Sequence, residues 1–218
     1  MPTHAVLPAH QARSRESLRK LLDAAREALG RYGIEGATIP RIARHAGLTP
    51  GSVYRRFKDK QALLESAILE ILERQEQTLQ TSLAPLATKQ VPLPEFAASI
   101  IKGMIGAYRA NAGLLRGMRQ FIQSRAGTPF WEKASALEAS HFQHAVDLFL
   151  LYRKELRHPQ PRMAVSLALR MVVGTLYELI VVVWPVQLKA TRDLLPRDDD
   201  ALAEELTRAF LRYLGVGT

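Results

Sequence analysis

Arg55, Arg56, Lys58 and Lys60 lie in one short stretch with the hydroxyl-bearing residues Thr49, Ser52 and Tyr54. That mixture suits a polyanion better than a reaction centre. The planar fork of Arg55 matches guanine O6 and N7 in a major groove, while Arg56, Lys58 and Lys60 suit phosphates, which fix register without reading sequence. Gly51 lets the backbone approach a surface, and Thr38, Arg41 and Pro50 complete the candidate contact set. Chemistry of other kinds is poorly represented. The chain has no cysteine, so thiolate ligands, thiol nucleophiles and disulfides are excluded. No Ser/His/Asp ordering, Gly-rich phosphate loop or HExxH motif occurs, and no enzymatic activity or cofactor is expected. His141 and His144, flanked by Glu138 and Asp147, cannot all share one helix face, and no second His cluster supports them, so no metal is expected either. His4, His10, His45 and His158 are isolated and read as surface or capping residues.

The charge is concentrated where those residues are. Residues 1–60 carry 12 Lys/Arg against 5 Asp/Glu, and the remaining 158 carry 18 against 16, so most of the net +9 belongs to the first 60. One basic segment facing a polyanion, with the rest doing something else, accounts for such an asymmetry. At 218 residues and 47% hydrophobic, the chain can bury a core of its own. Its opening residues lack a basic segment leading into an apolar one, and with the missing cysteines this makes a cytoplasmic location the expectation.

The elements that position the basic stretch read as helices, and no sustained period-two alternation suggests a strand. The fold class is therefore all-α. Residues 1–13 read as a flexible arm, and Ser14 as the cap of a helix to about Tyr32 with Leu18, Leu21, Leu22, Ala25, Leu29 and Tyr32 on one face; Gly33 and Gly36 end it. Thr38 caps a second helix with Pro40 in its first turn and Ile42, Ala43 and Ala46 inside. Gly47 supplies the positive φ that stops it, Leu48 plugs the corner, and Thr49-Pro50 begins a third helix with Val53 and Phe57 facing inward to about Phe57. This is a helix-turn-helix. Asp59 then caps a longer helix to about Ser82.

The stretch resembles the DNA-binding domain of TetR-family transcriptional regulators. The resemblance rests on Thr38, Ile42-Ala43, Ala46-Gly47-Leu48-Thr49, Gly51, Tyr54, Phe57, Lys60 and Leu63, preceded by the amphipathic helix at 14–32. It covers roughly residues 14–68; Arg56 stands where His or Tyr is often found, and Pro40 is unusual. What it implies is a helix-turn-helix domain over 14–58 and a helical effector-binding and dimerisation domain over 59–218. It further implies a homodimer bound to a palindromic double-stranded DNA operator, with repression relieved when a small apolar or amphipathic molecule binds the C-terminal domain. The alternative is a DNA-bound protein of the same fold that acts through partner proteins, as nucleoid-occlusion factors do.

Beyond the basic segment, helical spacing predicts helices from about Phe96 to Tyr108, from Asn111 to Gln123 as a short or bent piece, from Thr128 to about Leu156, over 163–184, and from about Asp198 to Leu214. The segment 163–184 is long enough to span a bilayer, but Arg170 and Glu178 lie within it, so a buried helix is expected and no membrane. Being apolar all round, it points to a subunit interface. Val165, Leu169, Val172, Leu176, Ile180 and Val183 on it, with Leu202, Leu206, Phe210 and Tyr213 on the last helix, are expected to form an isologous four-helix contact around Gly174. Large flexible and aromatic residues, Met104, Tyr108, Met118, Phe121, Trp131, Phe142 and Tyr177, are the candidate walls of an effector pocket, and Arg170 and Glu178 its candidate polar groups. Trp184 belongs to the same aromatic set.

Overall fold

The computed structural model describes residues 7–78, 81, 91–182 and 192–216. Among them no strand occurs, and the fold is all-α. Eight α-helices follow in order: α1 Leu7–Gly36, α2 Ile39–His45, α3 Pro50–Tyr54, α4 Lys60–Thr78, α5 Leu93–Ser124, α6 Pro129–Leu150, α7 Pro161–Leu176 and α8 Asp199–Tyr213. A π-helical turn, Tyr177–Val182, continues α7, and a 3-10 turn, Arg192–Leu194, precedes α8. The expected helix end at Ser82 and the residues Val183 and Trp184 lie outside the described residues.

The chain packs as two compact units. The first comprises the residues up to Leu72 together with Gly113–Ala134, the second Glu73–Ala112 together with residues from Ser135 onward. A linear division between 58 and 59 therefore does not describe the packing: most of α4 and the second half of α5 belong with the helix-turn-helix. Glycines explain the return of α5. A β-carbon on Gly113 would collide with the Gly30 carbonyl oxygen, and one on Gly117 would come within 3.0 Å of the Leu29 side chain, so the two helices approach backbone to backbone. Arg125 adds an ion pair to Glu65 of α4, 2.7 Å, and Phe121 stacks edge-on against Phe130. Asn111 leaves helical geometry (φ −121°, ψ 17°), so the bend expected in this region falls just before the unit boundary between Ala112 and Gly113.

The first helix starts earlier than expected. Ser14 is inside α1, not at its cap, and its hydroxyl accepts a hydrogen bond from Arg56 Nη2 at 3.1 Å. Of the arm expected at 1–13, residues 7–13 are thus helical, with Pro8 in the first turn where a missing amide proton matters least. Gly33 (φ 67°) breaks the helix as expected. Tyr32 does not face the core. It is 36% exposed, with the Arg41 guanidinium 4.2 Å over its ring.

The second unit has a contiguous core from α5, α6, α7 and α8. Phe149 sits between Phe96 (5.2 Å between centroids) and Phe210 (5.0 Å), and the Tyr152 hydroxyl donates to the Val91 carbonyl at 3.0 Å. Asp198 caps α8, its Oδ1 accepting from Ala201 N at 2.8 Å. Asp199 and Asp200 in the first turn suit the positive end of the helix dipole and pair with Arg109 and Lys102.

This core corrects the expected subunit interface. Val165, Leu169, Val172, Leu176 and Ile180 are each at most 4% exposed within a single chain, and Leu202 (6%) and Phe210 (2%) are buried too, so they hold their own subunit together. Leu206 and Tyr213 pack partly buried against the same cluster. The outward face of α7 is instead Met163, Leu167 and Met171, 42–45% exposed, with Arg170 and the open Gly174 beside them. The run Pro161–Val182 is long and apolar enough to cross a membrane, yet one side of it is built into this core.

Candidate nucleic-acid interface

The helix-turn-helix forms for the reasons its residues suggest. Ile39, Ile42 and Ala43 of α2 and Val53 of α3 are buried. Gly47 (φ 68°) turns the chain, and its amide and that of Leu48 donate back to Arg44 and Ala43 carbonyls at 3.1 and 2.8 Å. Thr49 caps α3, accepting from Ser52 N at 3.2 Å. α3 ends at Tyr54 and not at Phe57, with Arg55 as its C-terminal cap. Asp59 Oδ1 accepts from Ala62 N at 2.8 Å and starts α4.

α3 and the residues flanking it show basic and hydroxyl side chains to solvent. Thr49, Pro50, Gly51, Tyr54, Arg55, Arg56 and Lys58 are exposed, Tyr54 to 59%. A β-carbon on Gly51 would meet nothing nearer than Thr49 Oγ1 at 4.0 Å, so internal packing does not demand a glycine there. Arg55 Nη2 donates to Ser52 Oγ at 2.9 Å, and Ser52 Oγ is 3.0 Å from Thr49 Oγ1.

Two of the expected contact residues are engaged otherwise. Lys60 is half-buried and donates to the Ile34 carbonyl at 3.1 Å, which closes the end of α1. Arg41 donates to the Gly36 carbonyl and covers Tyr32. Thr38 is exposed and precedes α2, but its hydroxyl makes no capping bond. Sequence reasoning missed Ser14, whose partner Arg56 lies 42 residues away, and no local pattern could have pointed to that pair.

The expected effector residues divide between the units. Met118, Phe121 and Trp131 belong to the first, where Met118 and Phe121 are buried and Trp131 is 37% exposed. Met104, Tyr108 and Phe142 belong to the second and pack half-buried against its core. Arg170 is exposed with its guanidinium 4.3 Å over the Phe142 ring; Tyr177 and Glu178 are in the π-helical turn. Around His141 and His144 the structure brings in Glu76 of α4, hydrogen-bonded to His144 and with its carboxylate 3.8 Å from His141 Nδ1. Burial pushes the His141 pKa down, Glu76 partly opposing and His144 adding to it. Asp147 pairs with Arg162 instead, and among the described residues no group of three or more such side chains is arranged to hold a metal ion.

Comparison with known proteins agrees with this geometry. Residues 21–67 match the family described as bacterial regulatory proteins, tetR family. The chain is 27% identical over 146 residues to the HTH-type transcriptional regulator BetI of Cronobacter sakazakii, covering 67% of this chain and 70% of that one. BetI of Escherichia coli matches over 53 residues only, 43% identical and 27% of its length. Among solved structures, a TetR-family transcriptional regulator from Mesorhizobium loti superimposes with a TM-score of 0.67 at 19% identity, covering 92% of this chain and 97% of that one. The transcriptional regulator FadR from Bacillus subtilis, solved in complex with stearoyl-CoA, superimposes with 0.62 at 16% identity, covering 88% and 96%. Residues 21–67 thus carry a DNA-binding domain of the tetR family of bacterial regulatory proteins, with outward residues that are basic and hydroxylic, and the all-helical chain has the fold of these regulators.

Proposed function

We propose that this protein is a homodimeric, cytoplasmic repressor that reads a palindromic operator with α3 and releases it when an apolar or amphipathic effector binds the second unit. The observation that carries the DNA-reading part is the outward face of α3, where Gly51, Tyr54, Arg55, Arg56 and Lys58 are exposed and no packing demand explains them. Arg55 is the base reader; Arg56 and Lys58 serve phosphates. Lys60 and Arg41 support the fold of the reader, since their hydrogen bonds go to backbone carbonyls of α1.

The dimer reading is supported by the outward stripe of α7. Met163, Leu167 and Met171 recur at four-residue steps, and Gly174 continues the stripe with open space around it. A second copy of the same stripe, related by a two-fold axis, covers apolar area that water otherwise meets. The effector reading rests on Met104, Tyr108 and Phe142 at the margin of the second core, with Arg170 as the nearby cation. It is kept to the chemical class, an apolar molecule with one polar or anionic end.

The deciding experiment is selection of bound sequences from random duplex DNA by the purified protein, followed by titration over a range of salt. Recovery of an inverted repeat, with affinity falling steeply as salt rises, is the expected result. Arg55→Ala then loses about 1–3 kcal/mol on that site and relaxes one position of each half-site. Sites scattered without a repeat would favour the partner-protein alternative, and no enrichment at all would refute the reading.

A further inference from the structure

Arg55 is not free at the surface. Its Nη2 donates to Ser52 Oγ at 2.9 Å, and Ser52 Oγ stands 3.0 Å from Thr49 Oγ1. Thr49 Oγ1 in turn accepts the Ser52 amide at 3.2 Å, the bond that caps α3. These three residues are spaced three apart, which puts them on one side of a short helix. Ser52 Oγ accepts from Arg55 and shares a second hydrogen bond with Thr49 Oγ1, in which either hydroxyl can donate, so the Ser52 rotamer is held from both ends. The relay begins at a fixed point of the backbone and ends on a guanidinium.

We propose that Ser52 is a positioning residue for DNA reading: its hydroxyl, oriented by Thr49, holds the Arg55 guanidinium over the face of α3 so that it meets one base already in place. This rests on the assignment of Arg55 as base reader. A guanidinium has five donors, and the bond to Ser52 uses one of them. A bidentate pair to guanine needs two more. Binding therefore does not require the Ser52 bond to break. An arginine side chain at a surface otherwise samples many rotamers, and fixing one on binding costs affinity for the correct site. An unheld Arg55 also reaches phosphates of any sequence, which lowers discrimination further. Arg56, by contrast, is held by Ser14 of α1, so the neighbouring arginines are anchored to different elements and cannot exchange roles.

The test uses the full-length chain, the operator recovered from random DNA, single-position variants of that operator, and an unrelated duplex of equal length. Ser52→Ala is expected to reduce discrimination at the Arg55 position of each half-site by about threefold to tenfold. The thermal midpoint should stay unchanged. Ser52→Thr keeps the hydroxyl and should restore discrimination. The decisive comparison is the double variant: in an Arg55→Ala background, Ser52→Ala should add nothing. If the two effects add, Ser52 touches DNA itself and the positioning role is wrong. If Arg55→Ala relaxes the site and Ser52→Ala leaves it intact, the positioning role fails while the base-reading assignment stands. If Arg55→Ala does not change base preference, the assignment itself fails.

Discussion

Gly113→Ala offers a test in which local and tertiary physics pull in opposite directions. In a helix interior, replacing glycine with alanine removes a backbone entropy penalty and stabilises by about 0.5–1 kcal/mol. Gly103 and Gly106, two turns earlier in α5, have nothing within 4 Å of an added β-carbon, so alanine there should deliver that gain. At Gly113 the added carbon falls on the Gly30 carbonyl oxygen of α1. To restore van der Waals separation the helices must part by about 1 Å, and because the obstacle is backbone no rotamer change can relieve it. Overpacking costs about 1–3 kcal/mol, and an unyielding neighbour puts this case near the upper limit. Subtracting the propensity gain leaves a net loss of about 2 kcal/mol, or about 4–8 °C in midpoint for a chain of this size. The chain has 2 tryptophans. A Trp184→Phe background therefore leaves Trp131, within the first unit, as the sole reporter of that unit during urea or thermal unfolding. Gly113→Ala unfolding no earlier than its parent by that signal would refute the backbone-to-backbone contact.

Further outcomes follow from other parts of the chain. Met171→Glu places a charge in the outward stripe of α7 and should convert dimer to monomer in sedimentation without changing helix content; an intact dimer would move the subunit interface elsewhere. The depressed pKa of His141, caused first by burial, means the unfolded chain binds the proton more tightly. Its contribution is therefore fully present above the ordinary histidine value of about 6.5 and is lost as pH falls below it. His141→Gln should flatten that acid limb in urea titrations, only modestly because the side chain is 41% exposed. Lys60→Met removes the bond to the Ile34 carbonyl and should lower stability by about 0.5–1.5 kcal/mol, with a salt dependence of DNA binding equal to that of the parent. A flatter salt dependence would return Lys60 to the phosphate contacts.

Local chemistry made the helix-turn-helix legible. Each of its turning points needs a particular residue at one position: Gly47 for a positive φ, Thr49 and Asp59 for a hydroxyl or carboxylate next to free amides, and Pro50 at the first helical position. Such demands are met within four residues, so they show in the sequence. Long-range pairings do not. Arg56 with Ser14, Lys60 with Ile34 and Gly113 with Gly30 join positions whose spacing carries no signal. Ser14 misled for that reason: a hydroxyl ahead of an apolar run fits a cap, and only the fold shows that Arg56 occupies it. The expected pocket residues divide between the two units for a similar reason. Met118 and Phe121, three residues apart, and Met104 and Tyr108, four apart, both fit a helical face on the same helix, and the bend at Asn111 and the glycines after it lie where the two halves part into different units.

α7 shows why an apolar helix hides its orientation. A helix with one apolar stripe declares its inner face, because the polar side must meet water. From Met163 to Val182 nearly every position is apolar, so two opposite stripes satisfy the same 3.6-residue period. Val165, Leu169, Val172 and Leu176 form one; Met163, Leu167, Met171 and Gly174 form the other. The β-branched and leucine stripe fills the subunit's own core, where fixed rotamers pack well, and the methionines stand outside with Arg170. Methionine adapts its shape to a neighbouring surface at small cost, and an exposed apolar row rimmed by charge marks a contact surface. One helix thus holds the fold on its inner side and leaves an apolar row on its outer side, the row proposed above to meet a second copy. The sequence requirement common to both, apolarity all round, is also the composition of a membrane span, and only the burial of the inner stripe within one chain separates the cases.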